Sequence, residues 1–359
     1  MTAPLADPAV RRVALVRLRV GLGDLLCTVP ALRRLRAARP DVEVTLVTFG
    51  RMAPVVERLG GTVDALLPFP GAEGIPDGPV DAAGWAPFTV AARERGFDLA
   101  LQAYGDRPAA NRVTAALGAR LTGGFAPTGW DPPAGTGALH LRYPLRLHEA
   151  ERHLALLEHL GLPRRDGLPP GGDAGMGFPV TAADEAEHAA TLAAHGLEPG
   201  RYAVLHPGAS APTRRWPVER YAAVGDALAA DGLTVVVTGV PAEREISARV
   251  VAGMRAPAVD LTGATGLGGL AALLRDSAVL VGNDTGSAHL AAAVGARSVT
   301  VFLPGDPVRW AHRGPRHRAL TPTVACAPCP HLACPIEFRC ALTVSPADVA
   351  GAARELAGT

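Results

Sequence analysis

Residues 278–296 read AVLVGNDTGSAHLAAAVGA: a short β-branched apolar run, a polar turn, and an alanine-rich run closing on a glycine. The first five residues have the length and branching of a buried strand, and the run from Ser287 has the composition of a helix. Between them Asp284 or Thr285 stands where a helix N-cap belongs, and Gly286 lets a ligand approach the backbone. The unspent N–H groups of such a helix start lie at the positive end of its dipole, so the junction suits an anion or a hydroxyl-rich molecule. His289 follows Thr285 by four residues, which puts both on one side of the helix while Leu290 and Val294 turn toward the core. Capping plus a core-packed histidine accounts for the same residues without a ligand.

Strand, polar loop and helix recur on both sides of this stretch. Upstream come a helix from Thr181, the strand YAVLH, a helix from Pro217, the strand LTVVVTG and a helix from Ala242; downstream comes the strand SVTVFLP. The N-terminal part repeats the alternation. VALVRLRV (Val13 to Val20) reads as a strand, GLGD as a turn, and the run from Leu25 as a helix with Leu25, Val29, Leu32 and Leu35 as its apolar stripe and Arg33, Arg34 and Arg36 facing water. VEVTLVTF, DALLPF and FDLALQA supply further strands, whereas residues 71–96 and 126–140 match no pattern. Residues 162–179, LPRRDGLPPGGDAGMGFP, are too rich in proline and glycine for a helix or central strand and are expected to link two halves. At the end, Ser345, Pro346 and Asp348 sit as N-cap, first helical residue and capping partner of a closing helix. The expected class is therefore α/β with two doubly wound parallel sheets, in which ligands bind beyond the carboxyl ends of strands.

Length and composition agree with this class. At 359 residues the chain exceeds one ordinary core. With 48% hydrophobic and 19% charged residues it has ample surface to bury. All 35 basic residues are arginine, and a formal charge of +1 leaves no global field to attract nucleic acid or an anionic membrane. The N-terminal apolar run is interrupted by Arg17 and Arg19, so neither a signal peptide nor a membrane span is expected. A cytoplasmic protein, at most peripheral at the inner face of the membrane, follows as the expectation.

Four further features carry possible chemistry. In HPGASAPTRRWP, residues 206–217, Arg214 and Arg215 are suited to a diphosphate, and they also suit a solvated pair beside a core Trp216. In VTGVPAERE, residues 237–245, Glu243 or Glu245 could accept bonds from ribose hydroxyls or simply face water at a helix start. GLGD lacks the GxGxxG spacing of a dinucleotide fingerprint, but Asp24 could serve as a base toward a hydroxyl or as a helix cap. CAPCPHLACPIEFRC places Cys326, Cys329, Cys334 and Cys340 in a C-x2-C-x4-C-x5-C array, which would allow structural zinc or packed, reduced thiols; Cys27 reads as core.

Taken together, VRLRVGLGDLLCTVPALRRLR, FDLALQAYG, HPGASAPTRRWP, NDTGSAHLAAAVGA and VFLPGDPVRW resemble the ADP-heptose heptosyltransferases of glycosyltransferase family 9. The resemblance implies the GT-B architecture, two Rossmann-like domains facing a cleft: residues 1–178 receiving the acceptor, residues 179–344 binding the nucleotide sugar, and residues 345–359 forming a terminal helix. It implies Asp24 as general base, with Gly23 and Gln102 on the acceptor side. On the donor side it implies His206, Ser210, Arg214, Arg215, Glu243, Asp284, Thr285, Gly286, Ser287 and His289. Arg214 stands where the family often has lysine. The implied reaction is inverting, metal-independent transfer of a heptose or related sugar from a nucleoside diphosphate, expected to be ADP-linked, to a glycan or glycolipid hydroxyl, by a monomer and with no required cofactor. A nucleotide-sugar epimerase and an inactive nucleotide-sugar-binding module are the alternatives.

Overall fold

The computed structural model describes residues 3–163 and 175–358. The chain divides into two compact units, residues 1–170 and 171–359. Most of the expected linker, residues 164–174, lies outside the described residues.

The first unit is built on six parallel strands: β1 (Arg12–Val16), β2 (Glu43–Thr48), β3 (Ala65–Pro68), β4 (Leu99–Gln102), β5 (Leu121–Ala126) and β6 (His140–Arg142). They lie in the order β3-β2-β1-β4-β5-β6. β1 is central, with Val13 opposite both Val44 and Leu99. All of β1 beyond Arg12 is buried, as a strand covered on both faces must be. The run after it forms two helices, Leu22–Leu26 and Val29–Ala38, the second entered with Pro30 in its first turn, where a missing N–H costs nothing. Leu25, Val29, Leu32 and Leu35 are buried as expected. Arg34 is not solvated: it is 9% exposed, and its Nη2 donates to the Leu162 carbonyl at 2.5 Å. Its guanidinium replaces water with a backbone acceptor beyond the helix Glu149–His159.

The second unit repeats the plan with β7 (Tyr202–His206), β8 (Thr234–Val237), β9 (Ala258–Asp260), β10 (Val279–Asn283), β11 (Ser298–Val301) and β12 (His317–Leu320), again all parallel. Their order is β12-β11-β10-β7-β8-β9, the same 3-2-1-4-5-6 arrangement when counted from β7. The helix Ala182–His195 starts at a Thr181–Asp184 capping box. The closing helix Pro346–Ala357 starts as read, with Ser345 Oγ accepting from Asp348 N at 3.1 Å, and it buries Val349, Ala353 and Leu356 in the core with Val279, Val299 and Trp216. In each sheet the order reverses between two central strands, β1 and β4 in one and β7 and β10 in the other. The loops leaving those strands are where the predicted site residues fall.

Candidate functional site

In the second unit, four strand ends bring the predicted residues together. His206, the last residue of β7, is 8% exposed; its Nδ1 lies 3.0 Å from Thr238 Oγ1 beyond β8, and its Nε2 lies 3.8 Å from Glu243. Burial pushes this imidazole below its ordinary value of 6.5, while Glu243 pulls the other way; burial prevails. Glu243 stands at a helix start, in the N-cap position of Arg244–Gly253, but its side chain is only 12% exposed and makes no cap bond there. It ends a short 3-10 turn, Pro241–Glu243, and accepts from Val240 N at 2.9 Å. Its carboxylate lies against Gly208, where a Cβ would come within 2.1 Å of Glu243 Cδ. Only glycine permits this meeting of the β7 and β8 loops.

The β10 loop is fastened to the same place by Asn283, a residue whose role was not read from the sequence. It is fully buried at the end of β10; its Nδ2 donates to the carbonyls of Pro207 (2.9 Å) and Gly208 (3.3 Å), and its Oδ1 accepts from Trp216 N at 3.1 Å. Three bonds from one side chain fix the β7 loop against the β10 loop. Asp284 is 4% exposed and lies over Gly305 of the β11 loop, where a Cβ would approach its Oδ2 to 2.2 Å. Thr285 occupies the N-cap position of the helix Gly286–Ala293, but its side chain makes no cap bond; its Oγ1 lies 3.0 Å from Ser287 Oγ. The helix start thus lacks a side-chain cap, which keeps it suited to an anion.

The remaining donor-side residues separate by environment. Arg215 is tied to its own loop by one of its five N–H donors, Nε donating to the Ala209 carbonyl at 2.9 Å. Arg214 is half-buried and its guanidinium has no hydrogen-bond or ion-pair partner among the described residues. Ser210 is exposed at the loop tip. His289 is 4% exposed and packs inward, its Nδ1 2.9 Å from His312 Nε2 and its ring edge-to-face with Trp310. Its surroundings are those of a core histidine.

In the first unit, Asp24 is not the N-cap. Gly21 holds that position, and Asp24 lies in the first turn of Leu22–Leu26 next to the buried Gly23. Its side chain is 20% exposed, and Oδ1 lies 3.2 Å from Arg17 Nη2 and 3.5 Å from Arg19 Nε. Its Oδ2 lies over Gly21, where a Cβ would sit 2.5 Å away. Arg19 stacks on Tyr104, 4.5 Å from the ring centroid, and Tyr104 donates to Asp77 at 2.5 Å; burial pushes the Tyr104 hydroxyl up to about 12. Gln102 is fully buried, with Nε2 donating to the Gly105 and Phe125 carbonyls and Oε1 accepting from Tyr104 N and Gly105 N. It shapes the loop after β4 and is not presented to a ligand.

Behind Asp24 lies a buried charge network. Arg17, 0% exposed, donates from Nη1 to the Ala103 and Tyr104 carbonyls and from Nη2 to the Asp24 carbonyl, to Asp24 Oδ1 and, at 2.9 Å, to Glu149 Oε1. Glu149 opens the helix Glu149–His159, is 1% exposed, and also accepts from Arg152 Nη1 at 3.0 Å and Tyr143 OH at 3.4 Å. The arginine inside the apolar run VALVRLRV was the one trace of this network in the sequence.

The four cysteines 326, 329, 334 and 340 line one small cavity with Thr213, Leu303 and Phe338. The loop is tied to the β7 loop through Thr213 Oγ1, which donates to the His331 carbonyl at 3.0 Å, and to the β11 loop through Cys329 N, which donates to Pro304 O at 2.8 Å. Burial raises the Cys340 thiol above its ordinary value. Among the described residues no group of three or more His, Cys, Asp or Glu is placed to hold a metal ion. Cys27 is buried in the first unit, as read.

Comparison with known proteins fits these loops. The model of glycosyltransferase family 9 (heptosyltransferase) matches residues 93–338. Lipopolysaccharide heptosyltransferase 3 of Escherichia coli is 31% identical over 112 residues, 30% of this chain and 33% of that protein. The chain thus aligns with about a third of the length of this curated relative. The solved glycosyl transferase family 9 protein of Veillonella parvula superposes with a TM-score of 0.78 over 97% of both chains at 21% identity. The E. coli ADP-heptose lps heptosyltransferase II superposes with a TM-score of 0.71 over 96% of this chain and 98% of that one at 19% identity. At these identities the structures establish the fold, which is GT-B. The family model, spanning the first unit's β4 loop and the loops after β7, β8, β10 and β11 of the second, shows that the chain belongs to glycosyltransferase family 9, the heptosyltransferases.

Proposed function

We propose that the protein is an inverting glycosyltransferase that moves a heptose or related sugar from an ADP-linked donor to a hydroxyl of a glycan or glycolipid, in the building of lipopolysaccharide or another cell-surface glycan. The observation that carries this reading is the convergence at the β7, β8 and β10 strand ends. An uncapped helix start at Gly286 and a carboxylate at Glu243 are held there by Asn283 and Gly208, and the β7 loop that Asn283 fastens carries Arg214. A guanidinium and a helix start suit a diphosphate, and the carboxylate suits ribose hydroxyls. Residues 179–344 thus bind the donor and residues 1–178 the acceptor. Asp284, Thr285 and Ser287 border the helix start. Ser210 and Arg215 shape the loop that presents Arg214, and His206 backs Glu243. His289 supports the site from within.

In this mechanism the acceptor oxygen attacks the anomeric carbon as the bond to the diphosphate breaks, which inverts the centre. The acceptor proton passes to Asp24, and the charge developing on the leaving diphosphate is held by Arg214 and the helix N–H groups. These cationic and dipolar groups do the work a divalent metal does elsewhere, so transfer is metal-independent. No helix among the described residues is long and apolar enough to cross a membrane, consistent with a cytoplasmic enzyme that meets its acceptor at the membrane's inner face. The 326–340 loop, whose thiols are not gathered into a metal-holding set among the described residues, braces the β7 and β11 loops through Thr213 and Pro304.

The test is a thermal-shift panel of nucleoside diphosphates and their sugars. ADP and ADP-sugars should raise the melting temperature most, because a ligand that binds only the folded state stabilises it by mass action. A flat response across the panel would refute the donor assignment.

A further inference from the structure

We infer that Glu149 is a positioning residue for Asp24, acting through the guanidinium of Arg17, so that the Glu149–Arg17 pair sets the orientation and charge of the catalytic carboxylate. This rests on the reading of Asp24 as the base.

Arg17 is the joint. It is wholly buried, and its five hydrogen bonds tie together the carbonyls of the β4 loop, the first turn carrying Asp24, and the helix Glu149–His159. A single nitrogen, Nη2, reaches both carboxylates, at 3.2 Å to Asp24 Oδ1 and 2.9 Å to Glu149 Oε1. The planar fork of arginine holds such partners in fixed directions, which lysine would not. Moving Glu149 therefore moves the donor that fixes Asp24.

Charge leads to the same place. Glu149 and Arg17 are about as deeply buried as side chains become, while Asp24 keeps 20% of its side chain exposed. A buried ion pair is an expensive means of holding a helix, since apolar side chains of similar size often do as well. Here it leaves two acids and two bases, Asp24 and Glu149 against Arg17 and Arg152, in one connected set whose exposed member is Asp24. The other groups around it are Arg19 on the same carboxylate, Asp77 and Tyr104 behind Arg19, and Tyr143, His148 and His153 around Glu149. Without Glu149, the Arg17 cation would act on Asp24 un-neutralised.

Two variants of the full-length protein separate this from a merely structural role: Glu149→Gln, and the double variant Arg17→Gln, Glu149→Gln. The Asp24 carboxyl is followed by carbon-13 NMR across pH, its signal identified by its loss in Asp24→Asn, and ADP affinity is measured by calorimetry. ADP release from ADP-heptose, with water as acceptor, gives turnover. In Glu149→Gln the Asp24 midpoint should fall by about half a pH unit or more, because a nearby cation has lost its counter-charge. Turnover should drop about tenfold while ADP affinity stays within about twofold, the pattern of a base mis-set without loss of donor binding. In the double variant the midpoint should instead rise, because the cation itself is gone. Midpoints unmoved in folded protein would overturn the proposal, and so would shifts in one direction for both variants. If Glu149→Gln does not fold, the double variant decides alone, and an unmoved midpoint there overturns the proposal. Failure of the base assignment has a different signature, since Asp24→Asn would then keep its turnover while the midpoint shifts stand.

Discussion

At the scale of single residues, the site depends on which polar groups are already spent. Two adjacent arginines look alike in the sequence, yet Arg215 donates to the Ala209 carbonyl while Arg214 has no partner among the described residues. Arg214 has its whole guanidinium available to a phosphate, whereas Arg215 has committed its Nε to its own loop. Arg214→Ala should therefore weaken ADP binding by about tenfold to a hundredfold, the equivalent of a charge-assisted bond of roughly 1.5–3 kcal/mol. Calorimetric titration of ADP checks this, and an affinity unchanged within twofold would remove Arg214 from the donor site. The corresponding Arg215→Ala loss should be smaller and should come with reduced stability, because that side chain closes its own loop.

At the scale of elements, the sequence was readable where local chemistry sets the structure. YAVLH is β7 residue for residue, and the Ser345–Pro346–Asp348 start of the last helix needs only near neighbours. β5, β6, β9 and β12 were not anticipated, and each lacks a local signature. β5 reads LTGGFA, with glycines that weaken any strand propensity; β6 and β9 have three residues each; β12 reads HRAL. They are strands because a sheet edge was there to pair with. The segments after β1, β7, β8 and β10 are loops, as expected, but their internal fastenings were not legible. Asn283 meets partners 67 to 76 residues away and Arg17 meets Glu149 across 132 residues. The 326–340 loop also belongs to this scale. If its four thiols hold zinc, purified protein should carry about one equivalent by elemental analysis, and Cys329→Ser should lower both metal content and melting temperature, because metal binding is coupled to folding. Metal-free protein with an unchanged melting temperature in the variant would exclude zinc.

At the scale of the whole molecule, two units carry sheets of the same strand order, and the proposed function assigns the base to the first and the nucleotide contacts to the second. Their stability should respond to pH through buried imidazoles. His206 and His140 are both pushed below 6.5 by burial, so the folded chain binds fewer protons there than the unfolded chain does. Stability is intact above that value and is lost as pH falls from 6.5 toward the folded values. Denaturant midpoints measured across this range should decline, and the decline should be shallower in His206→Gln; an identical slope would show that His206 does not contribute. The separation of base from nucleotide is the claim on which the functional reading depends, and one substitution addresses it. Asparagine at position 24 keeps the size of aspartate but cannot take a proton, and every proposed donor contact lies in the other unit. Turnover and ADP affinity of Asp24→Asn, measured on the same preparation, should show transfer reduced by about a hundredfold or more, the usual contribution of a general base, with ADP affinity within about twofold of wild type. Turnover above about a tenth of wild type, with affinity intact, would contradict the account, because a catalytic base cannot be removed so cheaply.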